Sequence, residues 1–371
     1  MVKRLLRRPA PLLVASALAA IALPAHAQSR AERAAASLDE RLAGLGKMEE
    51  RVIRVGHRLS MATSRAGWCD ASPSLGWTLG ELGQYRKAIR QNVRSAWRIP
   101  PGASLFVAAV APGGAAERAG VRAGMGIATI AGQAPLTVNF DGEQRMALAN
   151  SERVIDGALG ERGVVDVELI GADGARRTVS LNGAPACKTR FEVMTEDDPQ
   201  AYADGEIVQV TAGMSQFTDA SDDELAAVIA HELGHNILRH RARTEDSGTP
   251  RDYRRYLGRY TRLSRQMEEE ADRLSVWILQ LSGFNPQAPI SFWERFGPDN
   301  DSPHPFGRTH SPWRERVAAV QAEVASMRAA LARDPRARPP LLDRKSGSAD
   351  DIFPQPLPTA EQAAPSASPS L

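Results

Sequence analysis

His231, Glu232 and His235 stand together in "AAVIAHELGHNILRH" (226–240), in a chain with 7 histidines among 371 residues. Two imidazoles four positions apart lie one above the other on one helical face, so both can aim a ring nitrogen at a single ion. Zinc takes neutral imidazole and carboxylate ligands, and a site with three protein ligands leaves a position for water. Glu232, directly after the first histidine, then stands beside that water as a general base. The spacing points to hydrolysis by an activated water, provided the stretch is helical and a third ligand exists. "QMEEEADRL" (266–274) offers carboxylates for that ligand.

The flanking pattern supplies the elements that must position these groups. "EIVQVTAGM" (206–214) alternates as a β-strand, an edge on which a peptide substrate can be added as a further strand. "SDDE" (221–224) reads as a capping box, Ser221 at the N-cap and Glu224 at N3, with acids facing the helix dipole. It predicts a helix over 222–241. A second helix is expected over 252–282, ended by "SGFNP", and it carries the acidic run. A Pro/Gly/Asp-rich loop follows over 297–312. Val317, Val320, Val324, Met327 and Leu331 then mark a last helix. Beyond Arg333 the chain is rich in Pro, Ala and Ser without periodicity, so 334–371 is read as a disordered tail.

"DDELAAVIAHELGHNILRH" followed by "EEEAD" resembles the HtpX/BepA type of zinc metallopeptidase, a family that includes the CAAX prenyl endopeptidases. Its pattern joins H-E-x-x-H to E-x-x-A-D, and "AYADGEIVQVTAGM" is similar to the strand that precedes its active-site helix. The resemblance covers about residues 190 to 320 and implies a mostly helical gluzincin-type domain with one Zn2+ per chain. It implies His231, His235 and Glu268 as ligands, Glu232 as base, and Asp272 as acceptor for the second N–H of a ligand histidine. Glu269 and Glu270 are left as solvated charges. "HSPWRERV" (310–317) fits the family's later H-P-x-x-x-x-R-I element with Ser311 in place of Pro. That maps Arg316, and it maps His310 as a group that steadies an oxyanion or closes onto the metal. His240 and His304 belong to no motif and are read as surface residues; His57 is read as structural.

Upstream, the chain divides further. Lys3, Arg4, Arg7 and Arg8, the apolar "LLVASALAAIAL" (12–23) and "AHA" (25–27) make a cleaved signal peptide over 1–27, the apolar run being too short to span a bilayer. Leu38, Leu42, Leu45, Met48, Val52, Val55, Leu59 and Ala62 mark an amphipathic helix within 28–67, which either docks on the body or pairs with another chain. Residues 68–187 are glycine-punctuated and β-rich. There "AAERAGVRAGMGIATIAG" resembles bacterial PDZ domains, with the strand beginning near Leu105 as the peptide-binding strand and "PPGAS" (100–104) as the preceding loop. Met125 stands where that family carries Asp. In an oxidising compartment Cys69 and Cys187 form one disulfide, with two free thiols as the alternative.

The formal net charge of +2 becomes about −2 once 1–27 is removed, which gives no electrostatic case for nucleic-acid binding. The expectation is an α+β protein, with a zinc metallopeptidase domain over 188–333 and a PDZ-like domain over 68–187. It would be an endopeptidase, periplasmic or secreted and without a transmembrane segment once mature. It would act on misfolded or envelope proteins, taken as an added strand or by the PDZ-like groove. The competing class is a PDZ-bearing chaperone or adaptor whose zinc site is structural or latched.

Overall fold

The computed structural model describes residues 25–136, 144–248, 259–300 and 311–343. The expected signal peptide, except Ala25–Ala27, lies outside the described residues, as do His304, His310 and residues 344–371. Among the described residues no helix is long and apolar enough to cross a membrane.

Helix α1 (Ala25–Arg65) includes the expected amphipathic segment. Its residues up to Arg41 belong to one compact unit and those from Leu42 to the other, which holds every remaining element. In the second unit Val52, Val55 and Leu59 are fully buried, in one core with Leu225 and Ile229. The apolar stripe from Leu42 onward is therefore spent on docking, the first of the two expected outcomes.

The β-rich module comprises β1 (Ala71–Ser74), β2 (Trp77–Glu81), α2 (Arg90–Ala96), β3 (Leu105–Val110) and α3 (Ala115–Arg118). It continues with β4 (Gly126–Ile130), α4 (Gln144–Arg162), β5 (Val164–Ile170), β6 (Arg176–Asn182) and β7 (Ala184–Cys187). Strands β2 to β6 form an antiparallel meander in sequence order, over a core that joins Leu105, Val107, Val165 and Val167 to Ile155 and Leu159 of α4. Strand β1 pairs with β7, Ala71 opposite Cys187, beside the Cys69–Cys187 disulfide, whose Cα atoms are 5.5 Å apart. The free-thiol alternative is thereby set aside. The peptide-binding strand expected near Leu105 is corrected: β3 pairs with β2 on one side and β4 on the other, and the edge strands of this sheet are β2 and β6.

The remaining elements are β8 (Arg190–Met194), β9 (Ala201–Ala203), β10 (Ile207–Thr211), α5 (Ala212–Phe217) and α6 (Asp222–Ile237). After them come α7 (His240–Asp246), α8 (Arg259–Ser282), α9 (Ala288–Asn300) and α10 (Trp313–Arg333). The small sheet has the order β8-β10-β9, parallel between β8 and β10 and antiparallel between β10 and β9. The expected open edge at 206–214 is thus wrong. Strand β10 is central, and β9 is an outer strand. Helix α9 runs to Asn300, with Pro298 inside it, into what was expected to be loop. The tail expected to be structureless from 334 begins with order: a 3₁₀ turn at Pro340–Asp343 sets Leu341 into the main core.

Candidate metal centre

Helix α6 starts where its capping residues place it. The Ser221 side chain accepts from the Glu224 N–H at 3.3 Å, and three acids fill the first turn. Only half of the expected box forms. The Ser221 N–H donates to Thr218 O, while the buried Glu224 carboxylate accepts from Arg295 at 2.8 Å. Arg51 of α1 fixes this end of the helix. It donates to the carbonyls of Ser215, Thr218 and Ser221 at 3.0, 2.6 and 2.9 Å, and to Asp222 at 2.8 Å. Helix α8 crosses close to α6 with Ala271 packed against Gly234, where an added Cβ would sit 3.4 Å from the Ala271 carbonyl oxygen, in ordinary van der Waals contact.

That close crossing brings the α8 carboxylates to the α6 imidazoles. His231 Nε2 lies 3.1 Å from His235 Nε2 and 3.3 Å from Glu268 Oε2, and His235 Nε2 lies 3.6 Å from Glu268 Oε1. Among the described residues these three form a group of His, Cys, Asp or Glu able to hold a metal ion. Donors placed tetrahedrally about 2.0–2.1 Å from a zinc ion stand about 3.3 Å from each other, so the observed spacings fit that ion.

Each imidazole is backed by a different group. His231 Nδ1 lies 3.0 Å from Asp272 Oδ1. Asp272 is 3% exposed and takes both arms of Arg316 at 2.6 and 2.7 Å. The Arg316 guanidinium in turn stacks on the Trp293 ring at 3.9 Å. Behind His235 stands His240, with its Nδ1 2.8 Å from His235 Nδ1 and its Nε2 3.1 Å from Glu270 Oε2. Arg243 donates to the same Glu270 oxygen at 2.6 Å. Two expectations fail here. His240 is 3% exposed, not a surface residue, and Glu270 is 1% exposed, not a solvated charge. Only Glu269 of that pair is exposed. The cause is a helix break: α6 ends at Ile237, and Arg239 takes a left-handed φ of 53°, so α7 turns back.

The electrostatics suit a cation. Burial disfavours charge on His231, but the Asp272 and Glu268 carboxylates outweigh it and push that imidazole up to about 10. Burial holds His235 well below the usual histidine value, with His231 and His240 adding to the effect. Carboxylates that draw a proton onto one imidazole draw a divalent cation equally, and a neutral second imidazole is the form that ligates. Burial alone would raise Asp272 and Glu270. The Arg316 charge, with His231, holds Asp272 below its usual value, and His240 with Arg243 holds Glu270 down to about 2.

Glu232 lines a cavity of about 530 Å³ together with His231, His235, Glu268, Asp272 and Arg316. Its walls are β9 on one side and the aromatic rings of Phe292, Trp293, Phe296 and Trp313 on another. His310 lies outside the described residues. Cys69 and Cys187 belong to the β-rich module and do not line this cavity.

Residues 173–247 match the model of peptidase family M48. The chain is 25% identical over 168 residues to the mitochondrial metalloendopeptidase OMA1 of Schizosaccharomyces pombe, covering 39% of this chain and 50% of that protein. It is 28% identical over 151 residues to the beta-barrel assembly-enhancing protease of Escherichia coli K12, covering 32% of this chain and 30% of the relative. The OMA1 of Saccharomyces cerevisiae is 33% identical over 93 residues, 20% of this chain and 27% of that one. The chain thus spans half or less of the length of these relatives. The family match contains His231, Glu232, His235, His240 and Arg243 but stops before Glu268, Glu270, Asp272 and Arg316. The α6–α8 crossing joins the two sets.

Proposed function

We propose that this protein is a zinc-dependent endopeptidase that hydrolyses protein substrates of the cell envelope, among them misfolded ones. The observation that carries the reading is the convergence of His231, His235 and Glu268 at tetrahedral spacing on the wall of a cavity that Glu232 also lines. The match to peptidase family M48 and the metalloendopeptidase and protease names of the relatives support peptide-bond hydrolysis. Bound zinc supplies Lewis acidity, acidifying a water and polarising the scissile carbonyl. Glu232 takes the proton of the attacking water and returns it to the leaving amine. Asp272, locked by Arg316, orients His231, and the aromatic wall keeps water from the rest of the cavity.

Substrate is held on β9, not on β10. Asp204 N donates to Ile207 O and Thr211 N to Gln200 O, so Gln200, Tyr202 and Asp204 face β10 in the alternating antiparallel pattern. Ala201 and Ala203 therefore turn their backbone N–H and C=O groups outward, along the strand that lines the cavity. An extended peptide adds there as the next strand. Export by the 1–27 signal and an oxidising compartment agree with the Cys69–Cys187 disulfide. The PDZ-like reading of 68–187 supplies a second peptide-holding module, whose sheet ends in β2 and β6.

The test is direct. The full chain binds zinc and cleaves an unstructured protein such as casein, while Glu232→Gln keeps the zinc and loses cleavage. Cleavage that survives this substitution removes the mechanism. Zinc-loaded protein that binds peptide without cutting it supports an adaptor instead.

A further inference from the structure

His240 and Glu270 lie outside the roles described so far, yet their burial and contacts are as constrained as those of the ligands. We propose that His240, Glu270 and Arg243 form a relay that fixes the tautomer and orientation of His235 and so tunes its grip on the metal. This inference rests on the zinc reading above.

The proton positions follow from one requirement. His235 Nε2 faces the other two donors, at 3.1 and 3.6 Å, so it is the ligating nitrogen and carries no proton. The hydrogen of a neutral His235 is then on Nδ1, which meets His240 Nδ1 at 2.8 Å. His240 must accept there, so its own hydrogen is on Nε2, which meets Glu270 Oε2 at 3.1 Å. An ionised carboxylate only accepts, and this one is held by Arg243 at 2.6 Å and by Gln266 Nε2 at 3.1 Å. Each link thus has a donor facing an acceptor. His240 and Glu270 are 3% and 1% exposed, so water does not replace either partner.

The two ligand histidines are consequently unlike. His231 is backed directly by a carboxylate, Asp272, paired with Arg316. His235 is backed by a neutral imidazole, with the carboxylate and its arginine one step further out. A histidine that donates its second N–H to a carboxylate becomes a stronger ligand, and loss of such an outer partner weakens metal binding roughly 10–100-fold. The arrangement depends on the break at Arg239. On an unbroken α6, His240 would lie about 140° around the helix from His235 and could not reach it.

The experiment measures zinc affinity of the full chain by competition with a chromophoric chelator, and the visible absorption of the cobalt-substituted protein. His240→Leu removes the acceptor and is expected to weaken zinc roughly 10–100-fold and to shift the cobalt bands. His240→Asn places Oδ1 where Nδ1 was, keeps the bond from His235 and is expected to lose less. Glu270→Ala, which removes the acceptor of the His240 Nε2 hydrogen, is expected to weaken zinc as well. Should His240→Leu fail to fold, the other two variants decide. If both bind zinc as tightly as the unmodified chain with unchanged cobalt bands, the relay is refuted. A lower melting temperature of the zinc-free variants with unchanged zinc affinity makes His240 merely structural and also overturns it. An unmodified chain that binds no zinc overturns the zinc reading itself, and the relay with it.

Discussion

Replacing Arg316 by leucine isolates the energetics beneath the site. Asp272 is 3% exposed and receives two guanidinium hydrogen bonds, at 2.6 and 2.7 Å. Removing one partner of a buried pair typically costs about 3–5 kcal/mol, because a charge remains buried and uncompensated. An independent bound comes from titration. Stripped of Arg316, Asp272 can escape by binding a proton. Carrying it from the ordinary value of 3.8 to neutral pH costs about 4 kcal/mol at 1.36 kcal/mol per unit. His231 stays 3.0 Å away and, when protonated, offsets part of that loss, so about 3 kcal/mol is expected at pH 7 for the zinc-free protein. Burial works against the Asp272 charge, while Arg316 and His231 depress its titration. The native pair therefore contributes stability above pH 3.8, lost as pH falls through the lower folded value. The measurement is urea unfolding of the zinc-free chain followed by circular dichroism, for Arg316→Leu, Asp272→Leu and the double variant, at pH 7 and pH 4. The gap between unmodified chain and Arg316→Leu should shrink on acidification, and the double variant should lose far less than the sum of the singles. Additive losses, or an Arg316→Leu cost below about 1 kcal/mol at pH 7, would refute the argument that this pair is a desolvated unit.

Other perturbations address other links. Arg51→Leu removes hydrogen bonds to three carbonyls and to Asp222 at the head of α6, where Arg54 still holds Asp222, and should cost about 2 kcal/mol in urea unfolding, despite lying outside the cavity. A loss within about 0.5 kcal/mol would show that α6 is held elsewhere. His231 is raised from 6.5 to about 10 in the zinc-free protein, so its contribution is complete below pH 6.5 and lost as pH climbs toward 10. A melting temperature of the zinc-free chain that is flat across that window contradicts the carboxylate cage. Ala203→Pro removes an outward N–H from β9 without touching the ladder to β10, so folding and zinc binding should survive while cleavage falls steeply. Unchanged cleavage would place the substrate elsewhere.

Local chemistry was legible where one helix carries it. The i, i+4 imidazoles, the adjacent Glu232 and the Ser221 cap all follow from periodicity, and α6 and α10 occur close to where periodicity puts them. Glu268, Asp272 and Arg316 were legible only through family resemblance, since nothing in spacing alone chooses among the acids of 268–272. The structure makes that choice with the α6–α8 crossing: Glu268 and Asp272 face α6, Glu270 faces His240, and Glu269 is exposed.

The misses share one physical origin. Alternation marks 206–214 as a strand, but whether a strand is edge or centre depends on chains far away in sequence, here β8 and β9. Likewise 222–241 reads as one uninterrupted helix. The turn at Arg239 is unfavourable for a residue with a Cβ and is held by what the two halves pack against. The reactive groups, the helix that presents them and the segments on either side follow from residue types and their periodicity. Which carboxylates meet which imidazoles does not, because that depends on helix crossings and strand order fixed by burial of surfaces distant along the chain.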